Sequence, residues 1–351
     1  MKILLLPFSW FYALVMICRN KAFDVGLFRS VDVGVPVISV GNLTAGGTGK
    51  TPLVEFITQV LLGKGKRLAI VSRGYGRASR GVRIVSDGRS LLLDAVQGGD
   101  EPVQIARKFP QAIVVVGERR VDAAKIAVDQ FGANVIVIDD GFQHRYLRRD
   151  RDIVVVDSQA DLVREPVLPA GMRREPMAGL RRAGFLVFSK VASKDVVDAR
   201  RTEISPWFDG PTMSSRYRIE SVRRADDGTP VNLDGLLATP AVAFSGIGDH
   251  DGFVSGLRGL GFTVSADLRF PDHHRYSDGD FRHIRSEMER TKSGICMTTE
   301  KDATRILSGE HRGKSFLETH QVYYSRIVLD ILDGKERMLS FLDIRPDRQD
   351  A

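Results

Sequence analysis

A chain of 351 residues has room for two domains. With 43% hydrophobic and 27% charged residues, its composition is globular and excludes a disordered chain. A net charge of +7 suits phosphate-bearing partners (nucleotides, nucleic acids or anionic lipid head groups) but does not choose among them.

The chain opens on an apolar run, residues 3–18, flanked by Lys2, Arg19 and Lys21. It falls short of the ~20 residues of a spanning helix, and Pro7 and Ser9 interrupt its first turns. A signal peptide is the obvious rival, but no small-x-small cleavage site follows. Trp10, Phe11 and Tyr12 are residue types that favour a membrane–water boundary. The run is therefore read as a helix lying in an anionic membrane surface, with a buried helix packed on the first domain as the alternative.

From residue 35, short Val- and Ile-rich runs alternate with helical stretches. Candidate strands are 35–40, 68–72, 113–116, 135–138, 153–156 and 185–188; candidate helices include 53–62 and 119–130. Such runs suit strands buried on both faces of a parallel sheet. A local hairpin is expected over 82–94, turning at Asp87 and Gly88.

The first strand runs into a glycine-rich loop, Thr44-Ala45-Gly46-Gly47-Thr48-Gly49-Lys50-Thr51, and then a helix. Glycines let backbone N–H groups curl around phosphate oxygens, and the helix N-terminus adds its positive end. In such a P-loop Lys50 reaches the β- and γ-phosphates and the Thr51 hydroxyl binds Mg²⁺. Thr44 departs from the pattern, which has glycine there.

The strand 135–138 ends in Asp139 and Asp140, at the sheet edge where open α/β sheets bind ligands. Adjacent residues on a strand point to opposite faces, so one of the two would hold the metal or its water. Gln143 and His144 follow and are candidates for the nucleotide. Arg73 and Tyr75 close the second strand at the same edge, within reach of phosphate or sugar. In the loop 98–102, Asp100 and Glu101 are carboxylates; transfer to a hydroxyl needs one to accept or orient the proton, and Asp100 is the candidate. Arg173 and Arg174 lie in an irregular loop suited to phosphate.

A second α/β series follows residue 215, with strands expected at 241–245, 262–266, 294–298 and 321–330 and helices near 253–260 and 280–290. Within it, Asp272-His273-His274 offers acid–base groups, and Thr299-Glu300-Lys301-Asp302 follows a strand, to line a cleft or cap a helix. Cys18 and Cys296 stand outside any ligand cluster, which fits a reducing compartment and argues against structural zinc. No motif that reads nucleic acid is present, and no protein partner is evident. The tail after Asp343 is polar and expected to fray.

The chain thus reads as α/β. Residues 1–30 hold the membrane-interfacial helix, 31–214 a P-loop NTPase-like doubly wound sheet, and 215–351 a second, smaller α/β domain with linker strands.

The stretches VGNLTAGGTGKTP, SRGYGR, GDEP, VIVIDDGFQH, LPAGMRREP, FPDHHRY and TEKDA, in this order, resemble the tetraacyldisaccharide 4'-kinase family, the lipid A 4'-kinases of Gram-negative bacteria. The resemblance implies ATP and Mg²⁺ as cofactors, and an acylated glucosamine disaccharide 1-phosphate as the lipid acceptor at its 4'-hydroxyl. It places the enzyme on the cytoplasmic face of the inner membrane. It gives Asp100 the role of base, helped by a histidine, His273 ahead of His274. Lys50 then joins the catalytic set, Asp139 and Asp140 serve the metal, and Arg73, Tyr75, Glu101, Arg173, Arg174 and His274 meet the substrate. Arg173 and Asp249 depart from the family's usual residues at those places. The alternative is a membrane-associated P-loop ATPase or GTPase switch with no lipid acceptor.

Overall fold

The computed structural model describes residues 2–308 and 311–343, so the polar tail after Asp343 lies outside the described residues. In chain order the first part contains α1 (Lys2–Asp24), β1 (Val37–Asn42), α2 (Lys50–Gly63), β2 (Leu68–Ser72), β3 (Arg83–Asp87), α3 (Ala95–Gly98) and α4 (Asp100–Lys108). It continues with β4 (Ile113–Val116), α5 (Arg120–Asp129), β5 (Val135–Asp139), β6 (Arg151–Asp157), β7 (Phe185–Ser189) and α6 (Lys194–Ile204). Then come β8 (Thr212–Arg224), α7 (Asp234–Leu237), β9 (Ala241–Ser245), α8 (His250–Gly259), β10 (Val264–Arg269) and α9 (Asp278–Thr291). The last elements are β11 (Ile295–Thr299), α10 (Glu300–Ser308), α11 (His311–Thr319), β12 (Val322–Asp333) and α12 (Lys335–Phe341).

The strands form one sheet of order β10-β9-β11-β12-β8-β7-β6-β1-β5-β2-β4-β3. Strands β1, β2, β4, β5 and β7 are buried at every residue, as apolar runs must be when helices cover both faces. Strand β1 lies between β5 and β6, parallel to both. That register sets Val40 beside Asp139, so the glycine loop leaving β1 and the carboxylates leaving β5 share one edge. Helix α2 covers the strands with Leu53, Val54 and Ile57, all fully buried in one cluster with Ile38 and Val40. Each such side chain contributes about 1.5–3 kcal/mol.

Strands β8 and β12 join the two parts. They pair antiparallel from Tyr323 opposite Arg224 to Asp333 opposite Ser214, and β8 also pairs parallel with β7. Residue 215 lies inside β8. Its first four residues are buried, and exposure then alternates along Arg216–Ser221; this open middle forms one wall of a cleft. Because β12 returns the chain along β8, α12 packs on the first part, where Met338 and Leu342 join the cluster of Val187 and Met213.

Two local expectations shift. The strand expected at 262–266 is β10, beginning at Val264; Phe262 is instead a buried plug below the turn at Gly261, whose φ is +99°. The turn at Asp87 and Gly88 exists, with Asp87 accepting from the Arg89 and Ser90 amides. However, β3 takes β4 as its partner and touches its own return chiefly through a bridge from Ser86 to Leu91.

Helix α1 presents two unlike faces. Ser9, Met16 and Phe23 are buried. Tyr12 Oη donates to the Arg174 carbonyl at 2.8 Å, Arg19 to the Gln143 carbonyl at 2.8 Å, and Asn20 to Glu175 at 2.9 Å. On the rest of the helix Leu4, Phe8, Trp10, Phe11, Leu14, Val15 and Ile17 are exposed. Among the described residues, no helix is long and apolar enough to cross a membrane.

Candidate active site

The loop after β1 takes its shape from two glycines with positive φ, Gly46 at +111° and Gly49 at +79°. Gly49 caps α2, so the helix begins at Lys50 and its first amides face the loop. Thr44 has no positive φ; it forms a strand-like bridge with Arg173, and the Ala45 amide donates to the Met172 carbonyl at 2.7 Å. Extended backbone tolerates any side chain, which explains a threonine where the pattern has glycine. Asn42 Nδ2 donates to Thr48 Oγ1 at 2.8 Å, and Ser189 Oγ to the Thr48 carbonyl at 2.9 Å. Tyr217 Oη, from the open middle of β8, donates to the Thr48 and Gly49 carbonyls at 3.3 Å.

A cleft of about 1600 Å³ runs past this loop. Ala45, Gly46, Gly47, Thr48, Gly49, Lys50 and Thr51 line it, with Asp139, Asp140, Gln143 and His144. Arg73, Tyr75, Glu101, Arg174 and His273 complete the expected set on its walls. Thr44, Arg173 and His274 are not on the walls. Arg173 spends its backbone on Thr44 and on the Pro166 carbonyl. His274 Nε2 bonds Asp280 at 3.0 Å, inside the capping box of α9, and its ring stacks on Phe270.

The carboxylates at the end of β5 have different partners. Asp140, with φ of +53°, accepts from Arg174 Nη1 on both carboxylate oxygens, at 2.8 and 2.7 Å, and Lys50 Nζ lies 3.4 Å away. Burial works to raise this carboxyl, but Lys50 and Arg174 hold it below the ordinary value. Asp139 is buried and accepts from Ser72 Oγ at 3.5 Å. Burial, then Glu101 and Asp140, push it up to about 7, against Lys50 and Lys301. Asp139 is a buried hard-oxygen donor that favours a cation, and it shares the cleft with the Thr51 hydroxyl, so the donor set fits Mg²⁺.

His273, on the wall of the same cleft, is paired with Asp100. Gly99 caps α4, and Asp100 and Glu101 occupy its first turn, where the helix dipole favours anions. Asp100 Oδ2 lies 3.1 Å from His273 Nδ1 and 2.5 Å from Arg305 Nε. Asp100 is not itself on the cleft wall; His273, which is, stands beside it. Burial works to raise the Asp100 carboxyl, but the His273 bond and the Arg305 charge hold it low. The same bond raises the His273 imidazole against burial. His273 has φ of +59°, which turns it away from the direction its neighbour His274 takes. Tyr75 lies against the His273 ring, centroids 5.2 Å apart. Glu101 Oε1 pairs with Lys301 Nζ at 2.6 Å.

Arg120 and Tyr217 had no expected role, and Tyr12 and Arg19 were expected at the membrane surface; all four lie on the cleft, where Tyr12 and Arg19 turn toward the protein to bond the Arg174 and Gln143 carbonyls. Arg120 is buried in the first turn of α5, a place that ordinarily disfavours a cation. That misplacement was the available signal. Arg120 and other arginines, after burial, also lower His144 to about 4, leaving a neutral imidazole in the cleft. Asp249, the other departure, caps α8 and pairs with Lys190 at 3.1 Å.

The family described as Tetraacyldisaccharide-1-P 4'-kinase matches residues 1–344. The chain belongs to this family. It is 37% identical to the tetraacyldisaccharide 4'-kinase of Chlorobium limicola over 344 residues, covering 97% of each chain. It is 41% identical to that of Chlorobaculum tepidum over 339 residues, covering 96% of this chain and 95% of the relative. The crystal structure of LpxK from Aquifex aeolicus in complex with ATP superposes with a TM-score of 0.77 at 32% identity, covering 97% of this chain and 98% of that one. The chain is accordingly a kinase that phosphorylates the 4'-hydroxyl of a tetraacyldisaccharide 1-phosphate, in the lipid A pathway. A nucleotide switch without a lipid acceptor is not favoured.

Proposed function

We propose that the cleft holds ATP and the sugar end of the lipid acceptor together, with the γ-phosphate between Lys50 and the Asp100–His273 pair. The observation that carries this reading is the position of His273, bonded to Asp100 and on the same cleft as Lys50 and Thr51. The amides of the Gly46–Thr51 loop cradle the β- and γ-phosphates, and Lys50 offsets charge as the bridging oxygen leaves. Asp100, with His273, accepts the proton of the 4'-hydroxyl while that oxygen bonds to the γ-phosphorus and ADP departs. Thr51 and Asp139 are the residues to hold Mg²⁺, which when bound neutralises charge on the phosphates. Asp140, already paired with Arg174 and Lys50, orients that lysine. Arg73, Tyr75, Glu101 and Arg174 are the wall residues toward the sugar phosphate; Arg173 and His274 act by shaping their loops.

In this reading α1 lies in the membrane surface by its exposed apolar face, on the cytoplasmic side of the inner membrane, and brings the cleft to an acceptor whose acyl chains stay in the bilayer. The expected units 31–214 and 215–351 meet within the β8–β12 ribbon, and α12 returns from the second to pack on the first. The test is Asp100→Asn. Loss of transfer with nucleotide binding retained supports the assignment; transfer at the parent rate refutes it.

A further inference from the structure

One buried cation outside the P-loop serves three parts of the site at once. Arg305 of α10 has its side chain 5% exposed. Its Nε donates to Asp100 Oδ2 at 2.5 Å, and its Nη1 to Asp302 Oδ1 at 2.8 Å and to the Gly246 carbonyl at 2.7 Å. The Gly246 amide donates to the same Asp302 oxygen at 3.1 Å, so both sides of Gly246 are held by the Arg305–Asp302 pair. The Gly246 carbonyl also accepts from the His273 amide at 3.1 Å. Thr299 Oγ1 fixes the other Asp302 oxygen at 2.5 Å. The guanidinium therefore binds the carboxylate on α4 and the loop that carries the histidine, from a third element.

We infer that Arg305 is a positioning residue for phosphoryl transfer: it anchors Asp100 by Oδ2 and locks it to the His273 loop, so that the two act as one unit. The inference rests on the reading of Asp100 and His273 as the proton-accepting pair. Three features of the geometry carry it. A planar fork satisfies two carboxylates and a carbonyl in fixed directions, which an ammonium does not. The bonds from His273 and Arg305 converge on one oxygen of Asp100, so rotation of that carboxylate breaks both. The contacts cross from α10 to α4, between residues 205 apart in sequence, so the pair is assembled only when both parts of the chain are in place. A displacement of about 1 Å in such a group lowers rate on the order of 10²-fold.

The groups around Asp100 are His273 and Asp272 from the loop before α9, Arg305, Lys301 and Asp302 from α10, and Glu101 on its own helix. Loss of the Arg305 charge raises both Asp100 and His273, because that charge lowers both. A base must be unprotonated, so the acidic limb of the rate profile moves to higher pH.

The experiment uses the full chain in detergent with ATP and tetraacyldisaccharide 1-phosphate, comparing Arg305→Gln, Arg305→Lys and Asp100→Asn with the parent. Arg305→Gln is expected to lower kcat about 10²-fold, leave KM for ATP unchanged and shift the acidic limb upward. Arg305→Lys, which keeps the charge, is expected to restore the limb and part of the rate. A parent-like kcat in Arg305→Gln overturns the inference. So does a loss in which KM for ATP rises, the limb stays and lysine gives no rescue, which marks general damage to the fold. If Arg305→Gln does not fold, a parent-like kcat in Arg305→Lys, with no loss at the fork, overturns it equally. Full activity in Asp100→Asn instead removes the underlying reading of the pair.

Discussion

Tyr217, on β8, reaches Gly49 of the phosphate loop. Its hydroxyl donates to the Gly49 carbonyl at 3.3 Å, and a Cβ built on Gly49 would lie 1.5 Å from that oxygen. Carbonyl and N–H point opposite ways across a trans peptide. Holding the Thr48 and Gly49 carbonyls against β8 therefore turns the Gly49 and Lys50 amides the other way. Tyr217→Phe removes this one hydrogen bond, shared between the two carbonyls, and keeps the ring. With about 0.5–1.5 kcal/mol for a typical bond, KM for ATP is expected to rise about threefold to tenfold. KM for the lipid should stay as it is, and the melting temperature should fall by no more than a few degrees. Nucleotide affinity equal to the parent's, measured with a fluorescent ATP analogue, would rule out this role.

Asp139 and Asp140 should separate in a metal titration. Asp139 is pushed up to about 7, chiefly by burial, whereas Lys50 and Arg174 hold Asp140 low against burial. A metal ligand must be deprotonated. The Mg²⁺ concentration giving half-maximal rate should therefore fall as pH rises from about 6 to about 8. Asp139→Asn should lose that dependence along with most activity. Asp140→Asn should instead weaken the hold on Lys50 and raise KM for ATP. Equal Mg²⁺ requirements at both pH values count against Asp139 as the ligand.

Glu300 predicts a stability change that does not involve the metal. It begins α10, pairs with Arg326 at 3.3 Å, and is pushed up to about 7 by burial and by Glu55. Its folded value is above the unfolded one, so the folded state binds the proton more tightly. The contribution is full below about pH 4 and is lost as pH rises through about 7. Melting temperature should thus decline by several degrees across that window from this source. Glu300→Gln should flatten the decline, as thermal scans at successive pH values can check. An unchanged slope in the variant contradicts the assignment.

Much of this site was legible in the sequence because its chemistry is local. The β1–loop–α2 succession, the carboxylates ending β5 and the apolar run of α1 each carry their signal within a few residues. What was hidden depends on contacts between distant residues. Two adjacent histidines look alike until the left-handed backbone at His273 sends one to Asp100 and leaves the other to Asp280. Arg173 and Arg174 likewise part company only because Arg173 pairs with Thr44. Arg305 and Tyr217 acquire meaning from partners 205 and 168 residues away. The β8–β12 ribbon was under-read because its open middle is rich in Arg and Glu, which masks a strand's apolar signal.

The exposed face of α1 makes a separable prediction. Trp10 and Phe11 are each 69% exposed, while Ser9 and Met16 hold the helix to the protein. Trp10→Ser combined with Phe11→Ser should lower binding to vesicles containing anionic lipid by at least tenfold, taking about 1.5 kcal/mol per aromatic side chain. Melting temperature should not change, and turnover of a detergent-dispersed acceptor should be kept. Undiminished cosedimentation with vesicles would exclude this face as the docking surface.

The central claim, that the γ-phosphate of ATP leaves the P-loop for the 4'-hydroxyl of the lipid, is tested most directly by tracing that phosphate. The purified full chain is incubated with γ-labelled ATP, Mg²⁺ and tetraacyldisaccharide 1-phosphate in detergent, and the lipid is extracted. The account predicts label in the lipid as a 4'-phosphate, in amounts matching the ADP formed, and none with Asp100→Asn. Label recovered only as inorganic phosphate, with the lipid unmodified, would contradict it.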